Sequence, residues 1–149
     1  MNDTLDMPDA HGRPLILIVE DFDDAREMYR EYLDFSGFRV ATARDGREAI
    51  DKALELDPDL ILMDLSLPVM DGWEATRRLK ADPRTAHLVI VALSAHALAA
   101  EGDRAREAGC DGFIAKPCLP SDLVVQMTAF LKLQSDRGGR TKPTRPRRH

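Results

Sequence analysis

The sequence predicts an α/β fold, a doubly wound five-stranded parallel sheet with helices on both faces, and three observations carry that expectation. Short apolar runs alternate five times with segments of helical periodicity. Several of those runs are apolar throughout, as strands covered on both faces must be. Gly, Asp and Pro mark most of the boundaries between them. A chain of 149 residues, 44% hydrophobic, buries enough surface to fold as one domain without a disulfide or structural metal.

Residues 1–13 show no periodicity and read as a loose leader. The apolar run 14–19 is the first strand, ending at Glu20-Asp21. Asp23 or Asp24 is placed to cap a helix whose apolar positions are Met28, Tyr32, Leu33 and Phe35, and Gly37 ends it. A short strand covers 38–42. Asp45-Gly46 opens a second helix carrying Ala49, Ile50, Ala53, Leu54 and Leu56, stopped by Asp57-Pro58. The central strand, 60–63, ends at Asp64.

After the turn-rich stretch 68–72, where Asp71-Gly72 reads as a turn and helix start, a third helix runs to about Lys80. The fourth strand is 88–93, ending at Ser94. A fourth helix covers roughly Ala97 to Ala108, and Gly109 closes it. Gly112 to Ala115 is the fifth strand, and Lys116-Pro117 breaks the chain before a last amphipathic helix from about Ser121 to Leu133. The folded domain is therefore expected over 14–134.

Charge is unevenly spread. The chain is −5 overall, yet 135–149 carries Arg137, Arg140, Lys142, Arg145, Arg147 and Arg148 against Asp136 alone. This Gly- and Pro-containing segment reads as a disordered basic tail whose candidate uses are contact with nucleic acid, an anionic membrane surface or an acidic partner, with a solubilising terminus as its plain use. It has no aromatic residue or folded reading element, so no sequence-specific nucleic-acid binding is expected. No apolar run approaches the ~20 residues of a membrane-spanning helix, and the acidic start is no secretory signal. Cys110 and Cys118 are too few for a disulfide framework and read as small packing residues of a cytoplasmic protein.

In a fold of this class the chemistry gathers at the carboxyl ends of the strands. The sequence places Glu20 and Asp21, Asp64, Ser94 and Lys116 there. Two carboxylates ~6 Å apart at an effective dielectric of about 20 repel by on the order of 3 kcal/mol. Three acids together need a proton, a lysine or a cation, and an all-oxygen site with room for water suits Mg²⁺. With its charge screened, a carboxylate can attack phosphorus. Asp64 is the central candidate, Asp21 and Glu20 the metal side, Ser94 a hydroxyl donor and Lys116 a mobile charge for phosphoryl oxygens.

The segments Leu17-Ile18-Val19-Glu20-Asp21, the run from Leu60 through Asp64 to Gly72, Val91-Ala92-Leu93-Ser94-Ala95 and Gly112-Phe113-Ile114-Ala115-Lys116-Pro117 resemble the receiver domain of two-component response regulators. The likeness covers about 14–134. It implies the flavodoxin-like strand order 2-1-3-4-5 and a phosphoryl group accepted on Asp64 from a sensor histidine kinase or histidine phosphotransfer protein. It also implies Mg²⁺ held by Asp21, Asp64 and the Ser66 carbonyl, with Glu20 contacting it through water, and a cis peptide before Pro117. Ser94 would turn toward the phosphoryl group and Phe113 would follow. Output would pass to a protein partner through the face of the fourth helix, fifth strand and fifth helix.

Glu20, Ser94 and Phe113 stand where Asp, Thr and Tyr are common in receivers. With only about 15 residues after the last helix, the expectation is a stand-alone receiver, a monomer or weak phosphorylation-dependent dimer with at most slow autodephosphorylation. Two other readings compete: an aspartyl-phosphate phosphohydrolase, and a receiver-shaped scaffold that is never phosphorylated. Asp64-Leu65-Ser66 lacks the second acid, and the chain lacks the cap, that the hydrolase needs. His96 reads as a helix-start surface residue, and Trp73 as a fluorescence reporter near the acidic pocket.

Overall fold

The computed structural model describes residues 13–65, 71–94, 103, 106–115 and 119–137. Five parallel strands, β1 (Leu15–Val19), β2 (Arg39–Ala43), β3 (Leu60–Asp64), β4 (Val89–Ser94) and β5 (Gly112–Ala115), pair in the order β2-β1-β3-β4-β5. This is the expected order. Between the strands lie α1 (Asp23–Phe35), α2 (Gly46–Leu56) and α3 (Gly72–Ala81), and a C-terminal helix (Pro120–Arg137) follows β5. Of the fourth helix expected over 97–108, residues 103 and 106–108 are helical and the rest lies outside the described residues.

The alternation of side chains along each strand sorts the core into two layers. Ile16, Ile18, Leu60, Leu62, Val91 and Leu93 point to one face, where Tyr29 and Leu33 of α1 and Leu123 and Met127 of the C-terminal helix cover them. Leu17, Val19, Ile61, Met63 and Ile90 point to the other, against Ala49 and Ala53 of α2 and Ala75 and Leu79 of α3. β1, β3 and β4 are the strands covered on both faces, which is why their sequences read as unbroken apolar runs.

Four local expectations change. Neither Asp23 nor Asp24 caps α1: the N-cap is Phe22, without a side-chain bond, and the two acids occupy the first turn, where the helix dipole favours them. The buried stripe of α1 is Tyr29 and Leu33 with Ala25 packed against it, so Met28 and Phe35 face outward at 43% and 87% exposure. Leu54 of α2 is likewise turned out, and Ala49 and Ala53 meet the sheet. Last, the C-terminal helix runs beyond Leu133 to Arg137.

Other boundaries follow their local chemistry. Asp45 Oδ1 accepts from Glu48 N at 2.9 Å, while Glu48 Oε1 accepts from Arg44 N at 2.7 Å, a reciprocal clamp on the start of α2. Asp57 ends that helix in the left-handed region, at φ 52°. Gly112 has no Cβ because the Phe130 ring occupies the space: a Cβ there would lie 2.3 Å from Phe130 Cζ. That close approach seats the C-terminal helix on β5.

Candidate functional site

Parallel register sets Val19 beside Met63. The next residue on each strand is therefore Glu20 on one and Asp64 on the other, at the same height on the carboxyl edge of the sheet. Carboxylate oxygens of Glu20, Asp21 and Asp64 lie within 4.8 Å of one another. Glu20 and Asp64 are 2% and 5% exposed, and Asp21 is exposed. Two acids form the floor of the cleft and the third borders solvent.

Each acid is held by the fold. Glu20 N donates to the Ala43 carbonyl of β2 at 3.0 Å. The Glu20 carbonyl accepts from Arg26 Nη1 at 3.0 Å, and its Oε2 accepts from Phe22 N at 3.3 Å. Glu20 thus ties the end of β1 to the residues that open α1, without capping the helix. Beyond Asp64 the chain stays on the sheet edge, with Leu65 N donating to the Leu93 carbonyl at 3.1 Å.

Gly72, read from the sequence as part of a turn and helix start, is what lets α3 begin there. A Cβ at Gly72 would sit 2.3 Å from the Asp64 carbonyl oxygen and 2.8 Å from Leu65 Cα. Gly72 N donates to the Leu65 carbonyl at 3.3 Å, and Asp71 caps the helix by accepting from Glu74 N at 2.9 Å. The α3 backbone rests directly on the peptide that presents Asp64. Asp-Gly before an apolar-periodic segment was the only signal in the sequence, and it marks a turn without saying what the turn touches.

Ser94 ends β4, one residue beyond the partner of Asp64 in register, and is 5% exposed. It therefore stands beside Asp64 on the same edge. Phe113 pairs with Ala92 in register and is half-buried, packed against the cluster of Leu65, Trp73, Ala92 and Ala108. Trp73 is buried against Leu65, the residue after Asp64, so its indole is one residue from the cleft. Burial pushes the Cys110 thiol up from its ordinary value to about 11, consistent with a packing residue. Ser66, His96, Lys116, Pro117 and Cys118 lie outside the described residues.

The donor set is all oxygen and anionic, with one open side, and suits a hard divalent cation that keeps several waters. By class, the strand order and this cleft define a flavodoxin-like α/β protein with an acidic pocket at the topological switch point. The family model for the response regulator receiver domain matches residues 16–128, and the chain belongs to that family. Its members are phosphoacceptor signalling proteins of two-component systems rather than typical enzymes.

Among curated proteins, the polar-differentiation response regulator DivK of Brucella ovis is 39% identical over 116 residues, which is 78% of this chain and 94% of that protein. Among solved structures, the chemotaxis response regulator CheY4 of Vibrio cholerae matches with a TM-score of 0.76 at 28% identity, covering 80% of this chain and 99% of that one. The receiver domain of the sensor histidine kinase PA1611 from Pseudomonas aeruginosa matches with a TM-score of 0.75 at 32% identity, over 81% of this chain and 99% of that one. That structure has a magnesium ion coordinated in its active-site cleft. Among the described residues, no helix is long and apolar enough to cross a membrane.

Proposed function

We propose that Asp64 is the phosphoryl acceptor of a Mg²⁺-dependent response regulator. The observation that carries this reading is the meeting of the Glu20, Asp21 and Asp64 carboxylates within 4.8 Å at the carboxyl ends of β1 and β3. Asp21 and Asp64, with the Ser66 carbonyl, would hold the cation, and Glu20 would contact it through water. Bound there, Mg²⁺ screens the acids from an incoming phosphoryl group. An Asp64 carboxylate oxygen bonds to phosphorus as the P–N bond of a donor phosphohistidine breaks, and the imidazole leaves with the bonding pair. The donor is a sensor histidine kinase or a phosphotransfer protein.

Ser94 donates its hydroxyl to one phosphoryl oxygen and Lys116 its ammonium to another. Phe113 follows Ser94 and passes the change to the surface of the fifth strand and the C-terminal helix, where a protein partner reads it. The protein works in the cytoplasm, where such kinases present their phosphohistidine. Hydrolysis of the aspartyl phosphate is a slow return step.

The test is incubation of the chain with Mg²⁺ and acetyl phosphate, followed by intact mass and Trp73 fluorescence. The expected result is one hydroxylamine-labile phosphoryl group with a fluorescence change, both absent in Asp64→Asn. Equal uptake by Asp64→Asn, or none by the native chain, overturns the assignment.

A further inference from the structure

We propose that the basic segment 138–149 folds back and docks along the outer groove of α1 in the same molecule. The groove, about 640 Å³, is lined by Met28, Tyr32, Phe35 and Pro120. It is edged by Asp24, Glu27 and Glu31. Met28 and Phe35 are among the exposed large apolar side chains of the protein, and the core uses neither. The sequence beyond the last helix supplies the complement: Arg140, Lys142, Arg145, Arg147 and Arg148, with no acid among them.

Charge on the helix favours this occupant. α1 carries Asp23, Asp24, Glu27, Glu31 and Asp34 against Arg26 and Arg30. Arg30 already bonds Glu27 and lies 4.0 Å from Glu31, while Arg26 bonds Asp23, so the helix keeps an excess of acid after its internal pairs. Spacing favours it too. Lys142, Arg145 and Arg148 recur every third residue, as do Pro143 and Pro146. A polyproline-II segment repeats every three residues, ~9 Å, and so would present the cations on one edge and the proline rings on the next. Asp24 and Glu31 are seven residues apart on a helix, about 10 Å. One turn of the tail therefore spans from one acid to the other. Proline-rich segments of this form seat on aromatic-lined grooves, and arginine planes stack on faces such as those of Tyr32 and Phe35.

The chain can reach. α1 and the C-terminal helix both leave the carboxyl edge of the sheet and pack side by side, Tyr29 and Leu33 against Leu123 and Met127. With 18 residues against 13, the C-terminal helix brings Arg137 out past the Phe35 end of α1. Gly138-Gly139 permits a reversal there. The residues that follow extend to ~30 Å in polyproline-II form, more than the ~20 Å length of α1.

A charge swap in the full chain tests this. Amide resonances of α1 are followed at ~0.01 M and ~1 M salt, where the screening length falls from ~30 Å to ~3 Å. The native chain is expected to show a salt-dependent shift at Glu27 to Phe35, independent of protein concentration. Lys142→Glu, Arg145→Glu and Arg148→Glu together should abolish that shift. Adding Glu27→Lys and Glu31→Lys to the reversed tail should restore it. Glu27 and Glu31 are exposed, and Trp73 fluorescence reports that each variant folds. The inference is overturned by α1 resonances indifferent to tail reversal, by no recovery in the swapped chain, by a shift that grows with concentration (a second copy in the groove), or by tail effects confined to another face.

Discussion

At the amino ends of the strands, Asp59 Oδ2 accepts from Leu15 N at 2.8 Å, Asp57 meets His87 Nε2 at 2.9 Å, and Asp111 Oδ2 accepts from both Lys80 Nζ at 2.9 Å and Ile90 N at 2.8 Å. At the carboxyl ends, Glu20, Asp21 and Asp64 are turned toward one another instead. Acids of the first kind hold strands and turns in place by taking up backbone N–H groups and cations. Acids of the second kind repel one another even where each also has a partner, as Glu20 Oε2 has in Phe22 N, so a cation among them lowers the energy of the folded chain. The two edges thus separate stability from function with the same side chain, and substitutions at them should differ in sign.

The largest stability effect is expected where the functional edge depends on backbone packing. Gly72→Val pushes a side chain into the Asp64–Leu65 peptide and should cost about 3 kcal/mol in urea unfolding, with slower phosphoryl uptake. A native-like midpoint would show that the close approach is not needed. At the other edge, Asp111→Ala leaves Lys80 and the buried Ile90 N–H without their shared acceptor and should cost about 2 kcal/mol, with phosphoryl uptake unchanged. Loss of uptake there would break the separation between edges.

The smallest effect concerns Cys110, beside Asp111 and away from the cleft. Its folded value of about 11 lies above the ordinary thiol value of 9.0, so the folded chain keeps a proton that the unfolded chain releases. Stability from this group is complete below pH 9 and is lost as pH rises toward 11. Alkylation should accordingly be slow at neutral pH, and a fast reaction would place the thiol outside the packed layer.

The sheet and the candidate acids were legible because each rests on a local pattern: strands covered on both faces need unbroken apolar runs, and strand-end acids follow them directly in sequence. The outward face of α1 was not legible. Two stripes at helical spacing, Ala25-Tyr29-Leu33 and Met28-Tyr32-Phe35, are both apolar enough, and only packing against the sheet and Leu123 selects the first. The last helix runs four residues past its expected end, where the sequence from Gln134 to Arg137 holds no Gly or Pro to break it. Gly72 escaped because a glycine in a turn gives no sign of the backbone pressed against it.

The most direct measurement is urea unfolding of the native chain and of Asp64→Asn, each with and without Mg²⁺. If the acids at the carboxyl edge repel one another, Asp64→Asn without Mg²⁺ should be more stable than the native chain. With the cation at ~100 times its Kd, the native chain should gain about 2.7 kcal/mol and overtake the variant. A native chain indifferent to Mg²⁺, or an Asp64→Asn chain less stable than the native one in its absence, would contradict the account.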